Sequence, residues 1–165
     1  MKRVGAMALG MATLLLAGFG CGQRVAERAI ENSIERETGG NANVDVSNGG
    51  VRVETKDGSF QAGAGAGLPS DWPSDVPLMP GAQVQYSGTS NKDKGSGVVF
   101  TTTKTLDEVV AFYRDQLTAS GWTVQSSGAI ANFTALTATK GEVGLSFAVQ
   151  AAAPGQTTVT IGIDR

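Results

Sequence analysis

TLDEVVAFYRDQLTASGWTV, residues 105–124, is the stretch whose reading sets the fold. Thr105 and Glu108 form the Thr-x-x-Glu pattern of a capping box, in which each side chain answers a free backbone amide of the first helical turn. Asp107 and Glu108 place negative charge at the positive end of the helix dipole. Leu106, Val109, Val110, Tyr113 and Leu117 recur at helical spacing and make one face apolar. Gly121 ends the helix, and Trp122 and Val124 begin an extended segment.

On both sides the apolar period changes to two. Upstream, Val84 and Tyr86 alternate in one strand, Ser87–Gly97 reads as a polar loop, and Val98, Val99 and Phe100 make a second strand. Downstream, Ile130, Phe133 and Leu136, then Val143, Leu145, Phe147 and Val149, then Val159, Ile161 and Ile163 mark further strands. Pro154 and Gly155 supply the turn between the last two. The order β-β-α-β-β-β predicts an α+β fold: an antiparallel sheet of four to six strands packed by one amphipathic helix.

The chain before this region divides into shorter units. Arg24–Thr38 has an apolar stripe of Val25, Ala26, Ala29, Ile30 and Ile34 at helical spacing, stopped by Gly39 and Gly40. About 15 residues make a marginal helix without a surface to pack on. Val44 and Val46, then Val51 and Val53, alternate around Asn48-Gly49-Gly50, a hairpin signal. Ala62–Gly67 reads AGAGAG and is expected to be a flexible linker. No strand–turn–helix context makes it a phosphate loop. The predicted organisation is therefore a signal segment at 1–20, a tether with helix and β meander at 21–61, a linker at 62–67, and the α+β domain at 68–165. That domain opens with a proline-rich strap, LPSDWPSDVPLMPGA, whose Trp72, Val76, Leu78 and Met79 call for burial.

Two of these stretches carry a resemblance. DVPLMPGA at Asp75–Ala82 and VVAFYRDQLTASGWTV at Val109–Val124 resemble the "PGA" and "FY…L…GW" motifs of an uncharacterised bacterial lipoprotein family with a small C-terminal α+β domain. The resemblance covers about half the chain, on the scale of one domain. It implies architecture and an envelope location, and it implies no activity and no cofactor.

The N-terminus points to the same location. Lys2 and Arg3 precede a charge-free apolar run that ends at Gly20 and Cys21, the single cysteine. This is the pattern of an export signal, and Cys21 sits where lipoproteins carry their acylated cysteine. The expectation is cleavage between Gly20 and Cys21 and a membrane-lipid anchor, such as palmitate, on Cys21. Phe19 and Gly18 depart from the usual residues, so a cleaved soluble chain and an uncleaved membrane helix stand as alternatives. Gly22 after Cys21 points to the outer membrane in a host with two membranes, and otherwise to the outer face of the cytoplasmic membrane.

Composition narrows the chemistry. Removing 20 of the 165 residues takes away Lys2 and Arg3, so 11 basic face 15 acidic side chains and the net charge is −4. Mild acidity without a basic patch argues against nucleic acid. The absence of histidine removes the commonest general base and metal ligand. Carboxylates remain: Asp71, Asp75, Asp107 and Asp115 are the candidates for a hydrolytic or small-ligand site. Asn43, Asp45, Asn48 and Asp57 are a weak calcium candidate that lacks the spacing of a calcium loop. The expected function is a non-enzymatic envelope lipoprotein, a binding or assembly module with an envelope protein as possible partner and no metal or cofactor. Trp72, Pro73 and Pro77 are the candidate partner surface. The alternative is an exported small-ligand-binding or hydrolytic domain.

Overall fold

The computed structural model describes residues 42–47, 49–153 and 155–165, together with Arg28, Ala29, Asn32, Ser33 and Arg36. The signal segment, Gly20, Cys21, Gly22, Asn48 and Pro154 lie outside the described residues. No helix among the described residues is long and apolar enough to cross a membrane. The five described residues of the predicted 24–38 helix are helical and exposed. Two side-chain bonds of helical spacing hold them, Ser33 Oγ to the Ala29 carbonyl and Arg36 Nε to the Asn32 carbonyl.

The strands are β1 Ala42–Ser47, β2 Gly50–Thr55, β3 Gly58–Gly63, β4 Gln83–Ser90, β5 Gly95–Thr102, β6 Thr123–Ile130, β7 Phe133–Lys140, β8 Val143–Ala153 and β9 Gln156–Asp164. The helix α1, Leu106–Ala119, connects β5 to β6. All nine strands form one sheet in the order β1-β2-β3-β4-β5-β9-β8-β7-β6, and every neighbouring pair is antiparallel. This overturns the expected α+β architecture. The described residues are predominantly one large antiparallel sheet with the short helix α1 packed on it, and the meander is not a prelude to the sheet but three of its strands. The ladder that joins them is β3 on β4, from Gly58 opposite Ser90 to Ala62 opposite Tyr86. The AGAGAG stretch is not a free linker either. Ala62 and Gly63 end β3, and the Ala64 amide then bonds the Gly49 carbonyl at 3.2 Å. Backbone pairing produces both results, and side-chain periodicity carries no record of it.

Around α1 the local signals produce what they should. Thr105 caps the helix, with its side chain on the Glu108 amide and the Glu108 carboxylate on the Thr105 amide. At the other end the Trp122 amide bonds the Leu117 carbonyl at 2.9 Å, and Gly121 takes φ 84°, a left-handed conformation that costs glycine little. Val109, Tyr113 and Leu117 are fully buried against β7 and β8 side chains that include Leu136, Leu145 and Phe147. Tyr113 touches the Phe147 ring at 5.0 Å and the Phe100 ring at 6.4 Å between centroids. The strap closes this core from one side with Val76 and Met79 buried in it.

Three strand readings depart from the sequence. Ile130, Phe133 and Leu136 do not share one strand or one face: Ile130 ends β6 and is exposed, Phe133 opens β7 opposite it, and Leu136 alone points into the core. Ser87–Gly97 is not a loop: β4 runs to Ser90 and β5 starts at Gly95, so only residues 91–94 turn. Val84 and Tyr86 do not share a face. A bulge lets Val84 oppose Phe100 while Tyr86 opposes Val99, two residues gained on one strand for one on the other. Phe100 is fully buried under α1, so Val84 packs with the core and Tyr86 turns to the opposite, open face. From that bulge toward β1 the apolar side of the sheet is reversed. The register places Val44, Val46, Val51, Val53, Phe60 and Ala62 on the same open face as Tyr86.

Candidate functional site

The open face carries a trough floored by bare backbone. Register aligns Gly88 on β4, Gly97 on β5, Gly162 on β9, Ser146 on β8 and Thr137 on β7 in one row across five strands. A second row one pleat away contains Ser90, Gly95, Asp164, Gly144 and Thr139. At about 4.8 Å per strand, five strands span roughly 20 Å. With five glycines in two rows, side chains leave a depression of about 650 Å³. Its floor is peptide and Cα, and its rim has the hydroxyls of Ser90, Thr137, Thr139 and Ser146 with the Asp164 carboxylate. A β-carbon on Gly88 would come within 2.7 Å of the Ser59 carbonyl oxygen, so the sheet itself requires glycine there.

Two aromatic residues stand next to this trough by register, outside its lining. Phe60 is the cross-strand partner of Gly88, and its ring stacks on Tyr86 with centroids 6.3 Å apart and planes 23° apart. Phe60 is 45% and Tyr86 51% exposed, although both are large and apolar in body. A stacked, exposed aromatic pair beside a side-chain-free floor offers a flat apolar platform with polar groups at one side. Pockets for small molecules combine these features: apolar contact for affinity and a few fixed polar groups for orientation. By contrast, the space between α1 and the sheet is filled by Phe100, Tyr113, Leu117 and Phe147.

The strap residues singled out in the sequence serve a different place. Trp72 is half-buried, and its indole donates to the Val76 carbonyl at 2.8 Å within the strap. Pro73 borders a second depression with Asp71, Asp75, Trp122, Lys140, Val143 and Arg165; Pro77 does not line it. Here Asp71 pairs with Arg165. Asp75 accepts from Lys140 Nζ at 2.6 Å and from the Trp122 indole at 3.1 Å. Lys140 also bonds the Ser120 carbonyl at the end of α1 at 2.9 Å. The Lys140 hydrogen bond holds the Asp75 carboxyl below the usual carboxylate range; burial opposes it and the Trp122 indole adds to it. These contacts tie the strap to the helix end and to the last residue of β9's tail. They occupy both acids as structural anchors.

The other candidate acids stand apart. Asp107 and Asp115 are exposed on α1. Asp45 is opposite Arg52 in the β1–β2 ladder, and Asp57 lies in the turn after β2 with its amide on Thr55 Oγ1. Among the described residues no cluster of acids or cysteine could hold a metal ion. The Phe60–Tyr86 pair was missing from the sequence reading because the residues are 26 apart and meet only through the β3–β4 register. One signal was available: isolated glycines inside strand-like segments, which mark places where backbone is left open.

Residues 82–160 match a family model described as START domain-like, a stretch that contains α1, most of the trough and Tyr86. No curated protein matches the chain.

Proposed function

We propose that this protein is a non-enzymatic ligand-binding module held at a bacterial membrane, with its ligand contacted by the open face of the sheet. The observation that carries the reading is the glycine-floored trough beside the exposed Phe60–Tyr86 pair. The START domain-like match over 82–160 supports a ligand-binding role in general terms. The ligand class follows from the surface. An amphipathic molecule would lay its apolar part on the rings and glycine backbone, and its polar part on the Ser and Thr hydroxyls. The anchor rests on the N-terminal sequence: an acylated Cys21 would fix the chain to the membrane, the outer one in a two-membrane host. An envelope protein partner at Trp72, Pro73 and Pro77 is a separate proposal, and the occupation of Asp71 and Asp75 by ion pairs favours the ligand reading over it.

The test is native mass spectrometry of the protein extracted from its host membrane, beside Tyr86→Ala and Thr137→Trp variants. A co-purifying small molecule in the wild type, lost from both variants with their circular dichroism unchanged, is the expected result. A molecule retained equally by both variants would move the site elsewhere, and catalytic turnover of the bound molecule would end the non-enzymatic reading.

A further inference from the structure

Antiparallel pairing sends the tight turns of the sheet to two ends, and the chemistry of the two ends differs. One end has the turns β2–β3, β4–β5 and β7–β8, which carry Lys56, Asp57, Lys92, Asp93, Lys94 and Glu142, all exposed. The other end has the turns β1–β2, β6–β7 and β8–β9, residues 48–49, 131–132 and 154–155, and their sequence contains no charged residue. The uncharged character is widest at the corner where β6 to β9 meet that end. No Asp, Glu, Lys or Arg occurs in 123–139 or 143–163. The charges next to these strand segments, Lys140, Glu142 and Asp164, all stand at the first end. At the corner Ile130 is 72% exposed, and Ala129, Ala131, Ala151 and Ala152 are exposed with it. One exposed isoleucine calls for no explanation. Turns that are all charged at one end and all uncharged at the other do.

We infer that this uncharged corner is a shallow membrane contact, entering the interface of the bilayer to which the chain is attached. The inference rests on the membrane attachment proposed above and adds which end of the sheet meets the lipid. Three observations favour lipid over a protein partner. First, Ile130 is the only large apolar side chain exposed there among the described residues. That is too little for the roughly 800 Å² per partner that a stable protein interface buries. Second, the backbone polarity of the tip is largely answered. Ile130 pairs with Phe133 across the β6–β7 turn, and the Asn132 carbonyl accepts the Ala151 amide at 2.9 Å. Fastening one hairpin turn to the next removes polar groups that would be costly to bring toward hydrocarbon. Third, alanine and isoleucine tips hold a free protein on a bilayer only weakly, whereas a tethered chain meets lipid at high effective concentration, and a weak contact is then occupied. The charges at the start of α1 limit the depth. Lys104 lines a depression with Ala151 and Ala152 and pairs with Glu108 at 3.1 Å, so the corner sinks to the headgroups and no further. In this orientation the charged turns point to water. The trough, whose outer row lies at the charged end, then opens away from the bilayer and takes its ligand from the aqueous side.

Quenching of tryptophan emission by lipid tests this on the full chain, extracted from host membranes and reconstituted in phosphatidylcholine vesicles with brominated acyl chains. Ile130→Trp places a reporter on the corner, and the wild type supplies the background of Trp72 and Trp122. Tryptophan itself seeks interfaces, so Lys92→Trp carries the same bias to the charged end as a control. Both sites are exposed, and circular dichroism checks that each variant keeps the fold. The emission added by Ile130→Trp is expected to shift to the blue and to lose most of its intensity to bromolipid. The emission added by Lys92→Trp is expected to lose none. Equal quenching at the two ends overturns the inference. An unquenched Ile130→Trp in a chain that floats with the vesicles also overturns it, and leaves the attachment standing. A blue shift without quenching that grows with protein concentration overturns it in favour of a second copy as the occupant. A chain that does not float with the vesicles removes the attachment and the inference together.

Discussion

Tyr113→Phe tests the packing of the core with two independent readouts. Tyr113 is fully buried between α1 and the sheet, and its hydroxyl completes no hydrogen bond. The Met79 backbone lies near enough to ease ionisation slightly, but burial dominates and pushes the phenol well above its ordinary value. A buried hydroxyl without a partner costs about 1–3 kcal/mol of desolvation. Losing the oxygen also removes a few dispersion contacts of about 0.1–0.2 kcal/mol each. Tyr113→Phe should therefore leave stability at neutral pH unchanged or raise it by up to about 1 kcal/mol. The sign at alkaline pH follows from linkage. The folded pKa lies above the unfolded one, so the proton's contribution is complete below the unfolded value near 10 and is lost as pH rises beyond it. Each pH unit above about 10 should then cost the wild type up to about 1.4 kcal/mol more than the variant. Urea unfolding followed by circular dichroism at pH 7, 10 and 11 measures both effects. A neutral-pH loss above about 1 kcal/mol, the worth of a made hydrogen bond, together with an unchanged alkaline slope, would refute the reading.

Other consequences are equally direct. Thr105→Ala should cost about 1 kcal/mol by urea unfolding, because the capping box satisfies two amides at once. Trp122→Ala should cost about 3–5 kcal/mol, since Trp122 is 4% exposed and its indole also holds Asp75; thermal unfolding by calorimetry shows it. Asp75→Asn should cost less than about 1 kcal/mol at neutral pH, as the Lys140 pair is partly exposed. Because the Asp75 pKa is lowered on folding, that contribution is present above the unfolded carboxylate value and fades as pH falls through the folded one, so wild type and variant should converge in acid. Mass spectrometry of the N-terminal peptide from host membranes should find Cys21 first and carrying a diacylglyceryl group; a retained Met1 would remove the lipid anchor.

How much of this was legible beforehand differs by element. For α1 the cap, the acidic first turn, the apolar stripe and Gly121 all lie within a few residues of the contacts they make, so the sequence shows the helix whole. The inward residues of β8 and β9 were readable too, as period two against a covered face, whereas in β7 only Leu136 of the expected residues points inward, beside Thr134 and Ala138. The candidate site was not readable. Phe60, Tyr86 and the glycines of the trough have no local pattern that joins them. Asp71 and Asp75 looked like free carboxylates until Arg165 and Lys140, distant in sequence, closed on them.

Sequence alone thus determined the helix, the alternation of most strands and the lack of histidine chemistry. Tertiary structure alone decided that the meander is part of the main sheet, that the Val84–Tyr86 bulge sends the two residues to opposite faces, and that five glycines from four strands line one trough. The physical reason is the range of the interactions. A helix closes its hydrogen bonds four residues away and writes that period into its side chains. A strand takes its face and its neighbours from register with a distant segment, and one extra residue at a bulge reverses which side meets the core.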